Sequence, residues 1–469
     1  MAKSVYIGIG GYDIGNVRPE LQLTYQELGD YVYRFDSVSV NSAGQIVGTN
    51  PQLVSLDTLT YGDCFIEQSV YETVNPIEYV YQVSSVGSTE SVFCYKQIVY
   101  DNGKACKIKK GYIGINGVAR KIKKAYIGVG GVARPCWGGG VLAYYGTATN
   151  FNKRRDKLAA TTIGDYALFG GGYFANDGAV GNVDVYNTLL TRSGVSTSLT
   201  ARYCLAATAV GNYAIFGGGT TGQSLSGRSM IVQAYDASLT RTKATNLQYA
   251  RAHLAATTIG DYALFAGGAP YNESSSYAYT DCYASSLTHT TPTNLQASRG
   301  KLAATTIGDY ALFAGGGFKE NSRAYVDAYN GSLTHSIATE LSVGRRALAA
   351  TTVGNYALFA GGRKQNDTTS EVVDVYNMSL TRMTAANLSD PRYTLAATTI
   401  GDYALFGGGY VQSDIVDVYD NSLTHTIATN LSLARYDLAA TTVGKYALFG
   451  GGYTTQNSQV ATVDAYTVV

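Results

Sequence analysis

One phrase, written seven times, limits what this chain can fold into. LAATTIGDYALFGGG begins at Leu158, and close copies begin at Leu205, Leu254, Leu302, Leu348, Leu395 and Leu438. Successive copies lie 47, 49, 48, 46, 47 and 43 residues apart, the period at which four-stranded propeller blades repeat. Each unit reads as four strands. LAATTI is small and β-branched, as suits a strand at a crowded axis, and the GD, GN or GK after it reads as a tight hairpin turn. YALFGGG follows, ending in glycines that permit close backbone approach or positive φ. VDVY is the third strand. A fourth runs through segments such as HTIATNLS to an arginine present in every unit: Arg155, Arg202, Arg251, Arg299, Arg345, Arg392 and Arg435. These arginines, and the repeated Asp184, Asp281, Asp327, Asp374, Asp417 and Asp464, read as framework.

The seventh unit stops at VDAYTVV, three strands into its blade. YYGTATNFNKRR, residues 144–155, matches the end of the other units and is expected to supply the absent outer strand, so that 144–152 closes the ring and removes an open edge. The expected fold is all-β: a seven-bladed kelch-like β-propeller over 141–469, with a small N-terminal β region over 1–140. Composition agrees, since Tyr and Gly are abundant at 40 and 54 residues and hydrophobic residues alternate with Thr, Ser and Asp.

The glycine run after the second strand, the tyrosine closing the third and the arginine ending the fourth resemble the kelch-repeat superfamily over about 330 residues. The units lack the tryptophan typical of the fourth kelch strand.

Upstream, KKGYIGINGVARKI from Lys109 and KKAYIGVGGVARPC from Lys123 are short copies with hairpin turns at Asn116-Gly117 and Gly130-Gly131. Residues 4–11 resemble a further copy that resumes at Asn102. A hairpin meander of 1–11 plus 102–137 is therefore expected, with a small β or α+β domain, 12–101, inserted at a hairpin tip. The tandem motif resembles segments of structural and tail-associated proteins of phages and prophages of Gram-positive bacteria. That resemblance implies attachment to other virion or tail proteins through the N-terminal region.

The formal net charge of +1 gives no general pull toward nucleic acid or an anionic membrane. Nine basic residues between Lys104 and Arg134 read as a solvated face that discourages edge pairing, so nucleic acid is not an expected partner. The start has no secretory pattern and no run of about 18 apolar residues occurs, so neither a signal peptide nor membrane insertion is expected. Six cysteines without a CxxC pair read as small buried hydrophobes.

No catalytic residue, metal ligand or cofactor is expected. His289, His335 and His425 share one repeat position with Arg192, Arg241 and Arg382, an exchange that suits a polar surface site. A copper radical oxidase would need His and Tyr ligands with a crosslinked Cys, and a sialidase would need aspartate boxes. Neither pattern is present.

The positions at which the copies differ fall in two places, the pair after each repeated arginine and the loop after each glycine run. In a kelch-like blade both emerge on one face. That face is expected to carry the candidate ligand-binding residues Tyr173, Phe174, Tyr203, His253, Tyr271, Phe318, Arg346, Tyr393, Tyr410, Tyr436 and Tyr453. Aromatic planes among polar neighbours suit sugars or peptides. The expected protein is a non-enzymatic, tail-associated receptor-binding or adhesion protein, found on a virion or extracellular after release, that binds a host-surface glycan or protein. A structural virion component using the propeller for subunit contacts, and a copper oxidase-like enzyme, are the alternatives. A homo-oligomer is compatible with the sequence, although no coiled coil supports one.

Overall fold

A computed structural model describes residues 21–24, 31–40, 46–55, 58–60, 63–73, 79–86, 91–98, 111–115, 118–122, 125–129 and 132–137, and all of 141–468 except 223–226, 271–274, 319–320, 455 and 457. Among these residues the chain is all-β apart from short helical segments such as Gln68–Thr73, and no helix is long and apolar enough to cross a membrane. Contacts divide it into two units, 1–123 and 124–469. Residues 1–20, 102–110, 116–117 and 130–131, which carry part of the expected meander and its turns, lie outside the described residues, as does Tyr271.

The first unit contains a six-stranded antiparallel sheet in the spatial order Leu21–Thr24, Ser91–Ile98, Tyr79–Val86, Cys64–Glu67, Tyr31–Phe35, Gln52–Ser55. The helix Gln68–Thr73 brings Tyr71 onto Phe35, Ile66 and Val80, which form its core. Gly111–Ile115 and Val118–Ile122 pair as a hairpin. In the second unit Ala125–Val129 and Val132–Trp137 do the same.

The second unit is built of four-stranded antiparallel sheets of propeller-like design, one for each copy of the repeat. The first comprises Ala159–Ile163, Tyr166–Gly170, Val183–Asn187 and Arg192–Gly194 in that order. The residue composition explains each strand. Gly164 takes φ +53 in the turn after Ile163, the region a glycine-first hairpin turn requires. The second and third strands are buried on both faces because neighbouring sheets pack against each. Ile163, Leu168 and Val185 meet Phe216 and Tyr235 of the next sheet, and Phe169 and Tyr186 meet Leu448 and Ala465 of the last. The innermost strands contact one another in succession, and Ala439–Val443 contacts Ala159–Ile163 to complete the circuit.

The last sheet takes its outer strand from the other end of the unit. Leu142–Ala148 pairs with Val463–Val468, with a bulge between Tyr144 and Gly146. Pairing thus begins two residues earlier than the repeat suggests and passes into the link at Ala148, where Phe151 still donates its N–H to Ala461 O at 2.8 Å.

Each repeated arginine is fully buried and clamps the sheet that follows it. Arg155 donates to Phe169 O at 3.0 Å and to Asp184 Oδ2 at 2.7 Å. Asp184 Oδ1 also accepts the Asn152 N–H at 2.9 Å and Arg192 at 2.9 Å. The carboxylate therefore ties the incoming link, the third strand and the fourth strand together. The same contact recurs for Arg251–Asp281, Arg345–Asp374 and Arg435–Asp464 at 2.6, 2.7 and 2.6 Å, and for Arg299–Asp327 and Arg392–Asp417. Removing one partner of such a buried pair costs about 3–5 kcal/mol.

The repeated histidines belong to this device. His289, His335 and His425 place Nε2 at 2.7, 2.6 and 2.6 Å from the same aspartates. Their side chains are only 13–19% exposed, so the position is largely covered and not the open surface the His/Arg exchange suggests. The tyrosine of each third strand reaches back to the preceding sheet, as Tyr235 Oη donates to Thr197 O at 2.7 Å.

Candidate functional site

In six units the link after the repeated arginine and the loop after the glycine run pair antiparallel, and in the unit of Arg299 the Gly317 N–H donates to Gly300 O at 2.7 Å. Asp156 bridges Tyr173, Tyr203 bridges Thr220, Ala252 bridges Ala269 and Tyr393 bridges Tyr410. In two further sheets the bridge lengthens into a ribbon, Arg345–Arg346 with Arg363–Lys364 and Arg435–Tyr436 with Tyr453–Thr454. Glycine makes the approach feasible: at Gly172, φ +119, a Cβ would stand 2.9 Å from Asp156 O. Both variable segments therefore lie together.

The second residue of each link has one conformation throughout. Lys157, Cys204, His253, Lys301, Ala347, Thr394 and Asp437 all have φ between 52° and 58°. Each donates its N–H to the carbonyl of its predecessor, and Lys157 donates to Asp437, at distances of 2.7–3.1 Å. Seven backbone hydrogen bonds thus close a ring. A left-handed backbone costs a non-glycine residue about 1–2 kcal/mol, yet none of the seven is glycine.

Their side chains line one cavity of about 820 Å³. The next residue along each link is the leucine that opens the repeat, and these seven leucines, each 7–8% exposed, form an apolar collar in the same cavity. Arg228, Arg346 and Arg363 complete its cationic lining, with Tyr203, Tyr393, Tyr410 and Tyr436 as its aromatic lining. Tyr393, Tyr410, Tyr436 and Tyr453 follow one another with ring centroids 5.1, 5.2 and 5.5 Å apart. Arg363 stands over Tyr393 at 5.3 Å.

The chain matches no protein-family model and no curated protein.

Of the residues the sequence singles out, Tyr203, His253, Arg346, Tyr393, Tyr410 and Tyr436 come together in the cavity. Tyr173 and Tyr453 flank it through ring contacts with Tyr203 and Tyr436, while Phe174 is half-buried beneath Lys153. Two differ from an exposed contact. Phe318 is buried at 7% exposure and packs over Gly300, where a Cβ would overlap its ring. Arg346 is buried at 5%, donates to Ser322 Oγ at 2.9 Å and pairs with Asp367.

Lys157, Cys204, Arg228, Lys301, Arg363, Thr394 and Asp437 are cavity residues that aromatic content alone does not reveal. Their signal is variability between copies, in the link pair for Lys157, Cys204, Lys301, Thr394 and Asp437 and in the loop after the glycine run for Arg228 and Arg363. Cys204 is half-buried beside the cavity, unlike the buried Cys282.

The electrostatics follow from enclosure among cations. Burial, then Lys301, Arg228 and Lys157, holds His253 well below the ordinary imidazole range, so it is neutral. Burial pushes the Cys204 thiol up to about 12 and the Asp156 carboxyl up to about 6. It raises Asp437 as well, against the pull of Lys157 and Lys301. A protonated thiol is a poor nucleophile. Among the described residues no three His, Cys, Asp or Glu side chains are grouped as a metal site needs. The arrangement is suited to holding a polar ligand by cations and aromatic rings.

Proposed function

We propose that this chain is a non-enzymatic receptor-binding or adhesion protein of a phage or prophage tail. In this reading residues 141–469 form a seven-bladed, kelch-type propeller whose axial face binds a host-surface glycan or protein. The observation that carries it is a division of labour. Repeated residues are used in the arginine clamps and core, whereas residues that differ between copies gather around a single aromatic- and cation-lined cavity. Such a concave, partly apolar pocket with converging polar groups is the usual form of a ligand site. The tail assignment, and attachment of residues 1–140 to other virion proteins, rests on the YIGINGVARKIKK resemblance.

Binding of the full chain to bacterial cells and immobilised glycans tests this reading. Changing Tyr203, Tyr393 and Tyr436 together to Ala is expected to abolish binding with the melting temperature retained. Intact binding by the folded triple variant contradicts it.

A further inference from the structure

We propose that the axial cavity selects an acidic saccharide, seating a carboxylate- or phosphate-bearing sugar between its cations and its tyrosine rings. This rests on the reading of that face as a binding surface and names the chemistry of the ligand.

Five cations, Lys157, Arg228, Lys301, Arg346 and Arg363, line the cavity against one carboxylate, Asp437. Asp156 and Asp367 stand beside Lys157, Arg346 and Arg363, and cations remain in excess when both are counted. The whole chain carries a formal charge of only +1, so the cavity concentrates charge that the molecule as a whole lacks.

Lys157 and Lys301 occupy left-handed backbone positions, φ 53° and 55°, where glycine would remove the strain. Keeping a charged side chain there suits a residue that meets a ligand. The leucine collar supplies low-dielectric walls, which focus the field of the cations into the opening. Tyr393, Tyr410 and Tyr436 border one side of the same space and offer the aromatic surface against which the C–H face of a sugar packs. A volume of about 820 Å³ lies within the range of small-ligand pockets and admits a short saccharide. A neutral sugar would meet the rings but bring no charge to the cationic lining.

Titration calorimetry of the full chain tests this with three probes: a galacturonic acid trisaccharide, a glycerol phosphate oligomer and a neutral galactose trisaccharide. At least one acidic probe is expected to bind about tenfold or more tightly than the neutral one. The advantage should shrink to about twofold in K157Q/K301Q and in high salt. Which acidic probe binds distinguishes carboxylate from phosphate as the source. Should the double variant unfold, the salt dependence of the wild-type preference decides the same point. Equal affinity for acidic and neutral probes, or binding to neither acidic probe, overturns the proposal. Whole-cell binding by the same preparation then separates the two failures: cells bound through the tyrosine face leave the binding reading standing, and cells left unbound remove it too.

Discussion

Arg202 is fully buried and donates to Gln233 Oε1 at 2.8 Å, where each of the other six repeats offers a carboxylate. Gln233 reproduces the geometry, since the same oxygen accepts the Thr200 N–H at 3.0 Å, but it brings no charge. Burial lowers the Arg202 guanidinium to about 10, so it remains a cation at neutral pH without a carboxylate partner. Gln233→Asp should therefore stabilise the protein by about 1–2 kcal/mol, the margin of a charged over a neutral buried hydrogen bond. Chemical denaturation measures this, and a destabilised variant speaks against the clamp as described.

Closure depends on a side chain that the repeat does not align. Tyr144 Oη donates to Asp464 Oδ1 at 2.7 Å, in the place that His or Arg fills in other sheets, because the bulge after Tyr144 shifts the borrowed strand by one residue. Burial raises the Tyr144 phenol to about 12, with help from Asp464, so it remains a donor. Tyr144→Phe is expected to cost about 1.5–3 kcal/mol. Tyr145→Phe, at a residue 55% exposed, should stay within about 0.5 kcal/mol. Equal effects would show that the hydroxyl contributes nothing to closure.

Threonine hydroxyls join the inner strands of successive sheets, as in Thr208–Thr258, Thr257–Thr306 and Thr305–Thr352, each at 2.8 Å. Ala209 occupies the position in the second sheet where its neighbours carry the receiving threonine. Ala209→Thr should supply a bond with Thr161 and raise stability by about 0.5–1.5 kcal/mol. A neutral or negative effect in thermal melts counts against the ladder as a source of stability.

The Asp156 carboxyl gives stability a pH dependence of definite sign. Its folded value of about 6 lies above the ordinary 3.8, chiefly through burial, so the folded protein holds the proton more tightly than the unfolded chain. Its contribution is full below about pH 4 and is lost as pH rises through 6. Asp156→Asn should leave stability unchanged near pH 4 and raise it by up to about 3 kcal/mol at pH 7. Denaturation at both values checks this, and a difference that does not grow with pH contradicts it.

The sheets were legible because the chain is its own alignment: seven copies separate what must be kept from what varies. The arginine and the aspartate could each be read as framework, but not as partners, because about 30 residues and the first two strands of the sheet lie between Arg155 and Asp184. The axial ring was hidden for another reason. Its conformation is left-handed, and the seven residues there, of six kinds, include no glycine to mark it. Phe318 and Arg346 sit in variable segments that read as surface, yet the absent side chain of Gly300 and the carboxylate of Asp367 draw them inward. In the first unit the sheet order interleaves distant strands, which periodicity alone does not specify.

Two variants compared side by side for binding to intact bacteria locate the working surface. One is Tyr393→Ala with Tyr436→Ala at the axial cavity; the other is Ile337→Ser with Ile427→Ser on the outer strands, where both isoleucines are more than half exposed. The first should lose binding by about tenfold or more, with the second indistinguishable from wild type. Loss confined to the outer-strand variant, or equal binding by both, would contradict recognition at the axis.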